Sequence, residues 1–99
     1  MAYRLSPKAN RDLDDIISFI SQYNPQAAVR LLDRLVARWR LLDTQPRSGA
    51  PREDLGAGLR TVVVGEYLSI YRVAGNSVEI LRVLHGRRRI TPDEIGSPG

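Results

Sequence analysis

Ninety-nine residues with 42% hydrophobic content suit one small domain, residues 1–99, with a single modest core. Cysteine is absent and histidine occurs once, which excludes disulfides and thiolate metal sites and leaves no metal and no cofactor to expect. Fifteen basic residues against eleven acidic ones leave a net charge of +4, nearly all of it from arginine, and favour an anionic partner such as nucleic acid or an acidic protein segment.

No apolar run exceeds three residues, and the start Met1-Ala2-Tyr3-Arg4 has no signal-peptide core. No membrane is therefore expected as a partner, and the chain reads as cytoplasmic. Tyr3-Arg4-Leu5 is a short strand. Ser6-Pro7 then opens a helix, because serine accepts a hydrogen bond at the N-cap and proline loses nothing at the first helical position. Ala9, Leu13, Ile16, Ile17 and Ile20 form its apolar stripe, and Asp12, Asp14 and Asp15 read as a solvated, salt-bridged face. Asn24-Pro25 repeats the start signal for a longer helix with the stripe Ala28, Leu31, Leu32, Leu35, Val36, Trp39 and Leu42, ending before Pro46. So short a link predicts an antiparallel helical hairpin. Arg30, Arg34 and Arg38 follow one another at i, i+4 and i+8, a basic ridge on the second helix that reads chiefly as a solvated face.

Pro46 to Gly58 holds two prolines and three glycines and reads as a long loop. Three strands come next: Leu59 to Val64, Tyr67 to Val73 and Val78 to His85. Gly65-Glu66 suits a type II′ turn between the first two, and Ala74-Gly75-Asn76-Ser77 turns the chain again. Strict alternation in the last strand sends Val78, Ile80, Arg82 and Leu84 one way and Glu79, Leu81, Val83 and His85 the other. One face is expected under the helices and the other is left for a partner. Residues 91–99 read as a flexible tail. The fold class is α+β: a short N-terminal strand and an antiparallel helical hairpin on a small antiparallel sheet, in the order β-α-α-β-β-β.

The last strand runs into the only histidine and then three arginines, His85-Gly86-Arg87-Arg88-Arg89. Guanidinium groups stay charged and match phosphates and carboxylates in shape. Arg60, Arg72 and Arg82 fall one per strand, so at least two are expected to approach each other on the sheet. A histidine beside arginines offers proton transfer and oxyanion stabilisation for phosphodiester chemistry; its alternative is a local role at a strand end. No Ser/His/Asp order, glycine-rich phosphate loop or metal spacing is present.

The ordered set Tyr3-Arg4-Leu5-Ser6-Pro7-Lys8-Ala9, Asp12-Leu13-Asp14-Asp15-Ile16, Asn24-Pro25-Gln26-Ala27-Ala28, Pro46-Arg47-Ser48-Gly49, Gly58-Leu59-Arg60, Tyr67 to Val73 and Ile80 to Arg88 resembles ParE-type toxins of the RelE/ParE superfamily. The resemblance covers nearly the whole chain. It implies the toxin of a bacterial type II toxin–antitoxin system, of the plasmid-stabilisation kind, that inhibits DNA gyrase without being an enzyme. A ParD-like antitoxin would neutralise it by folding a flexible segment on its surface, and operator DNA would be met only through that antitoxin. Arg60, Arg82, His85, Arg87, Arg88 and Arg89 are the residues expected to meet target or antitoxin. The alternatives are an antitoxin-binding relative that has lost toxicity and a RelE-like, ribosome-dependent mRNA endonuclease. For the nuclease Glu53, Arg60 and His85 are the nearest catalytic candidates. Against it, the loop before Leu59 has no lysine, and Gly86 stands where such nucleases often carry a functional side chain.

Overall fold

The computed structural model describes residues 3–95. Strand β1 (Tyr3–Leu5) leads into helices α1 (Pro7–Tyr23) and α2 (Pro25–Thr44); then come β2 (Ala50–Pro51), β3 (Arg60–Val64), β4 (Tyr67–Ala74), β5 (Ser77–His85) and the short α3 (Pro92–Ile95). Both helix starts obey their local signals. The Ser6 hydroxyl accepts from the Ala9 N–H at 3.1 Å and the Asn24 side chain from the Ala27 N–H at 3.0 Å, each with proline next in sequence. Asn24 also ends α1, so a single residue separates the helices.

The sheet runs β1-β5-β4-β3-β2. β3, β4 and β5 form the expected meander, with Gly65 at φ 58° and Gly75 at φ 61° as the first residue of each two-residue turn. Only glycine takes that left-handed conformation cheaply, which suits type II′ turns. Two features depart from the expected sheet, one in pairing direction and one in strand number. β1 pairs parallel with β5, Leu5 opposite Ile80, and the loop after Pro46 supplies a two-residue strand, Ala50 opposite Thr61. Parallel pairing is allowed because the whole helical hairpin and meander separate β1 from β5.

The helices cover one face of the sheet. Leu31, Leu35, Trp39 and Leu42 of α2 and Ala9 of α1 pack on Val62, Val64, Tyr71, Val78, Ile80 and Val83. Trp39 is buried and its indole N–H donates to the Ser69 hydroxyl at 2.9 Å. The simple alternation along β5 fails between Ile80 and Arg82. Tyr71 pairs with Ile80 and Ile70 with Arg82, so Leu81 is an extra residue, a bulge that reverses the facing of the residues beyond it. Val78, Ile80 and Val83 therefore all join the helical core, while Leu84 joins the opposite face.

That opposite face, expected to await a partner, is largely covered by the chain itself. Leu55 and Leu59 of the long loop and Ile90 and Ile95 of the C-terminal segment pack on Leu68, Ile70 and Leu84. Residues 91–95, expected as flexible tail, thus carry a docked helical turn; residues 96–99 lie outside the described residues. Before β2 the chain passes so close to Tyr71 that Gly49 has no room for a side chain. A Cβ there would lie 2.5 Å from the Tyr71 hydroxyl and 2.7 Å from the Thr61 carbonyl oxygen.

Two substitutions test these contacts in urea titrations of the folded chain. Ser69→Ala leaves the Trp39 indole N–H buried without an acceptor and is expected to cost about 2 kcal/mol. Gly49→Ala forces Tyr71 from its place and is expected to cost a similar amount, roughly 2 kcal/mol. Unchanged midpoints for both would mean that neither contact shapes the fold.

Candidate interaction site and its anchors

The residues expected to form a site around the end of β5 divide into anchors and exposed groups. Arg82 is an anchor. Its side chain is 15% exposed, and its Nε and Nη2 donate to the two oxygens of Asp12 at 2.7 and 2.9 Å. The same carboxylate accepts the Val83 N–H at 3.0 Å. Asp12 thus belongs to the α1–β5 junction and not to the solvated face on which its spacing placed it. The hydrogen bonds that Arg82 donates to the Asp12 carboxylate raise the Arg82 pKa against the opposing effect of burial. Arg82 also donates to the Glu94 carbonyl, and Arg88 pairs with the Glu94 carboxylate, which fastens α3.

Arg60 is an anchor too. Its Nη1 donates to the carbonyls of Arg47 at 3.0 Å and Gly49 at 2.7 Å, beside the Tyr71 hydroxyl, which donates to the Pro46 carbonyl at 2.7 Å and accepts the Gly49 N–H at 3.0 Å. Arg72 pairs with Glu79 at 2.8 Å. The arginines at 60, 72 and 82 are therefore each engaged separately, Arg60 with the loop before β2, Arg72 with β5 and Arg82 with α1.

His85 pairs across from Tyr67 and meets its ring edge-on at a centroid distance of 5.4 Å. Its Nδ1 accepts the Arg87 N–H at 3.2 Å, and Glu66 lies 4.0 Å from Nε2. Burial, and then the neighbouring Glu66 carboxylate, raise the pKa of the Tyr67 phenol. Arg87, Arg88 and Arg89 are exposed beyond the strand, and among the described residues Arg87 and Arg89 have no carboxylate partner.

The three nuclease candidates do not meet. Arg60 pairs with Tyr71 and His85 with Tyr67, which separates them by four residues along β4, roughly 13 Å, as well as by two strands of the sheet. Glu53 lies in the loop, where its carboxylate accepts the Gly58 N–H at 3.1 Å. Among the described residues no group of three or more His, Asp or Glu side chains could hold a metal ion, and no helix is long and apolar enough to cross a membrane. As an anchor Asp12 was missed by sequence reasoning, which had it only on the solvated face and within the Asp12 to Ile16 motif.

A helical hairpin on a mixed five-stranded sheet, with exposed arginines beyond β5, defines a small basic α+β domain. The chain belongs to the ParE toxins of type II toxin–antitoxin systems: the model of that family, ParE toxin of parDE, matches residues 3–90. It is 40% identical over 84 residues to Toxin ParE1 of Caulobacter vibrioides, covering 84% of this chain and 86% of that one. Toxin ParE3 of the same organism is 36% identical over 80 residues, 80% of each chain. Among solved structures, a chain of the chromosomal ParDE toxin–antitoxin system from P. aeruginosa superposes with a TM-score of 0.73 at 26% identity, covering 86% of this chain and 95% of that one.

The Asp12–Arg82 junction is open to a double-mutant cycle. Asp12→Asn strands the largely buried guanidinium and is expected to cost about 3 kcal/mol, with Arg82→Met similar. The double variant should lose clearly less than the sum. Additive losses would show that the pair is not coupled.

Proposed function

We propose that this ParE-family toxin acts on DNA gyrase, without catalysing a reaction of its own, and that a ParD-like antitoxin holds it inactive in the cytoplasm. The family membership supports the toxin role, and the failure of Glu53, Arg60 and His85 to converge is the observation that carries the non-enzymatic reading. RNA cleavage needs a base and an acid within hydrogen-bond reach of one phosphodiester. Here the sheet arginine holds backbone carbonyls and the histidine stands at the other end of the sheet, two strands away.

The groups left for a partner are the arginines beyond β5. Arg87 and Arg89 extend from the same end as His85 and offer forked donors to phosphate or carboxylate. Contacts of this kind suit a target that already carries DNA, and equally an acidic antitoxin segment that competes for them. Operator DNA is reached through the antitoxin. Lost toxicity in this copy would leave the antitoxin contact intact and the gyrase effect absent.

Purified protein in a gyrase supercoiling assay and, separately, in a translating-ribosome assay distinguishes the targets. Inhibited supercoiling with intact mRNA is expected; cleaved mRNA with unaffected gyrase would overturn the proposal. Arg87→Ala with Arg89→Ala should weaken gyrase inhibition at least tenfold while the melting temperature stays within about 3 °C, since exposed substitutions cost little stability.

A further inference from the structure

The edge of the sheet at β3 is closed for only half its length. Pro51 and Ala50 of β2 stand opposite Arg60 and Thr61, and the Arg52 N–H donates to the Leu59 carbonyl at 2.8 Å. In antiparallel pairing every second residue turns its N–H and C=O outward, so Leu59, Thr61 and Val63 are the outward residues of β3. The two-residue turn after Val64 requires the same phase, because Val64 and Tyr67 close the hairpin. Val63 would find Ser48 as its β2 partner, but the Ser48 N–H donates instead to the Gln45 carbonyl at 3.1 Å. Val63 therefore has its backbone groups on an open edge and its side chain 66% exposed, an unprotected edge of the kind proteins usually blunt with charge or proline.

Two arginines of α2 bracket this gap. Arg34 lies over the β3–β4 turn, with Nη1 3.5 Å from where a Gly65 Cβ would stand. Arg38 reaches the other end of the gap, where Nη2 donates to the Ser48 hydroxyl at 3.2 Å, and its Nη1 is buried without a hydrogen-bond partner. Among the described residues neither arginine has a carboxylate partner. Val62 and Val64 face the helical layer and Val63 faces away.

From this we infer that the open edge of β3 takes an extended segment of a partner protein as an added strand, with an apolar residue beside Val63 and acidic residues on either side of it reaching Arg34 and Arg38. The alternation comes from the pleat. A residue opposite Val63 shares its outer face, and its two neighbours point to the helical side, where the guanidinium groups stand. Two like-charged arginines flanking the gap disfavour a second copy of this chain, which would bring the same charges to the same edge. The inference deepens the antitoxin reading by naming the pattern of the segment bound, and it rests on that reading for the identity of the partner.

The probe is an acetylated, amidated heptapeptide of alternating glutamate and valine, titrated into the full chain and followed by amide NMR and hydrogen exchange. Binding should protect the Val63 amide at least tenfold. Arg34→Glu with Arg38→Glu should weaken it at least tenfold, as should Val63→Pro, which removes the outward donor without touching a β3–β4 hydrogen bond. A lysine–valine peptide should not bind. Equal affinity in both variants, protection confined to another edge, or protection of Val63 in the free chain that grows with its concentration would overturn the inference. A stable complex with a ParD-like antitoxin in which Val63 still exchanges freely would overturn the strand addition and leave the antitoxin reading standing. Peptide protection of Val63 in a chain that no such antitoxin binds would do the reverse.

Discussion

One carboxylate holds the architecture together. β1 ends at Leu5, because Ser6 and Pro7 turn the chain into α1, yet β5 continues to His85. Its outer edge beyond the last paired residue would be left with unsatisfied backbone groups. The start of α1 supplies the missing partners. The Ser6 N–H donates to the Ile80 carbonyl at 2.9 Å, the Ser6 hydroxyl donates to the Leu81 carbonyl at 2.8 Å, and Asp12 accepts the Val83 N–H. Bringing Asp12 to that edge costs desolvation, which Arg82 offsets with two charge-assisted hydrogen bonds. The bulge at Leu81 allows this, because it lets Val83 keep its place in the core while Arg82 turns toward α1. Arg82 then reaches Glu94, so the same junction fixes helix α1, strand β5 and helix α3.

The arginine-rich composition therefore hides two populations. Arg52, Arg60, Arg72, Arg82 and Arg88 are engaged with carboxylates or carbonyls of the chain itself, some tying the long loop and the C-terminal turn to the sheet. Among the described residues Arg34, Arg38, Arg87 and Arg89 have no carboxylate partner. Those of α2 and those beyond β5 sit on different elements, which suits a protein that must meet both a target and a neutralising partner. Net charge alone cannot separate the two populations, since a guanidinium looks the same in sequence whether its partner is internal or foreign.

Local signals were read correctly where the physics is local. Ser6-Pro7 and Asn24-Pro25 start helices because capping and proline stereochemistry act within one turn. Gly65 and Gly75 mark hairpins because left-handed backbone is a property of the residue itself. Tyr71, by contrast, stood only as one position within the strand Tyr67 to Val73. That its hydroxyl would hold Pro46 and Gly49 depends on the loop passing over it. Glu53, Arg60 and His85 were a set only as the positions nearest to those that RelE-like nucleases use. The strand register separates them.

By itself the sequence determined the helical hairpin, the meander, the α+β class and, through the order of its motifs from Tyr3 to Arg88, membership of the ParE toxins. Each depends on residues within a few positions of one another or on a pattern carried by the whole chain. Only the tertiary structure decided the parallel pairing of β1, the bulge at Leu81, the partnership of Asp12 with Arg82 seventy residues away, and which arginines remain free. Those depend on where the surfaces of distant elements meet. A buried carboxylate and an exposed one are written with the same letter until packing sets them apart.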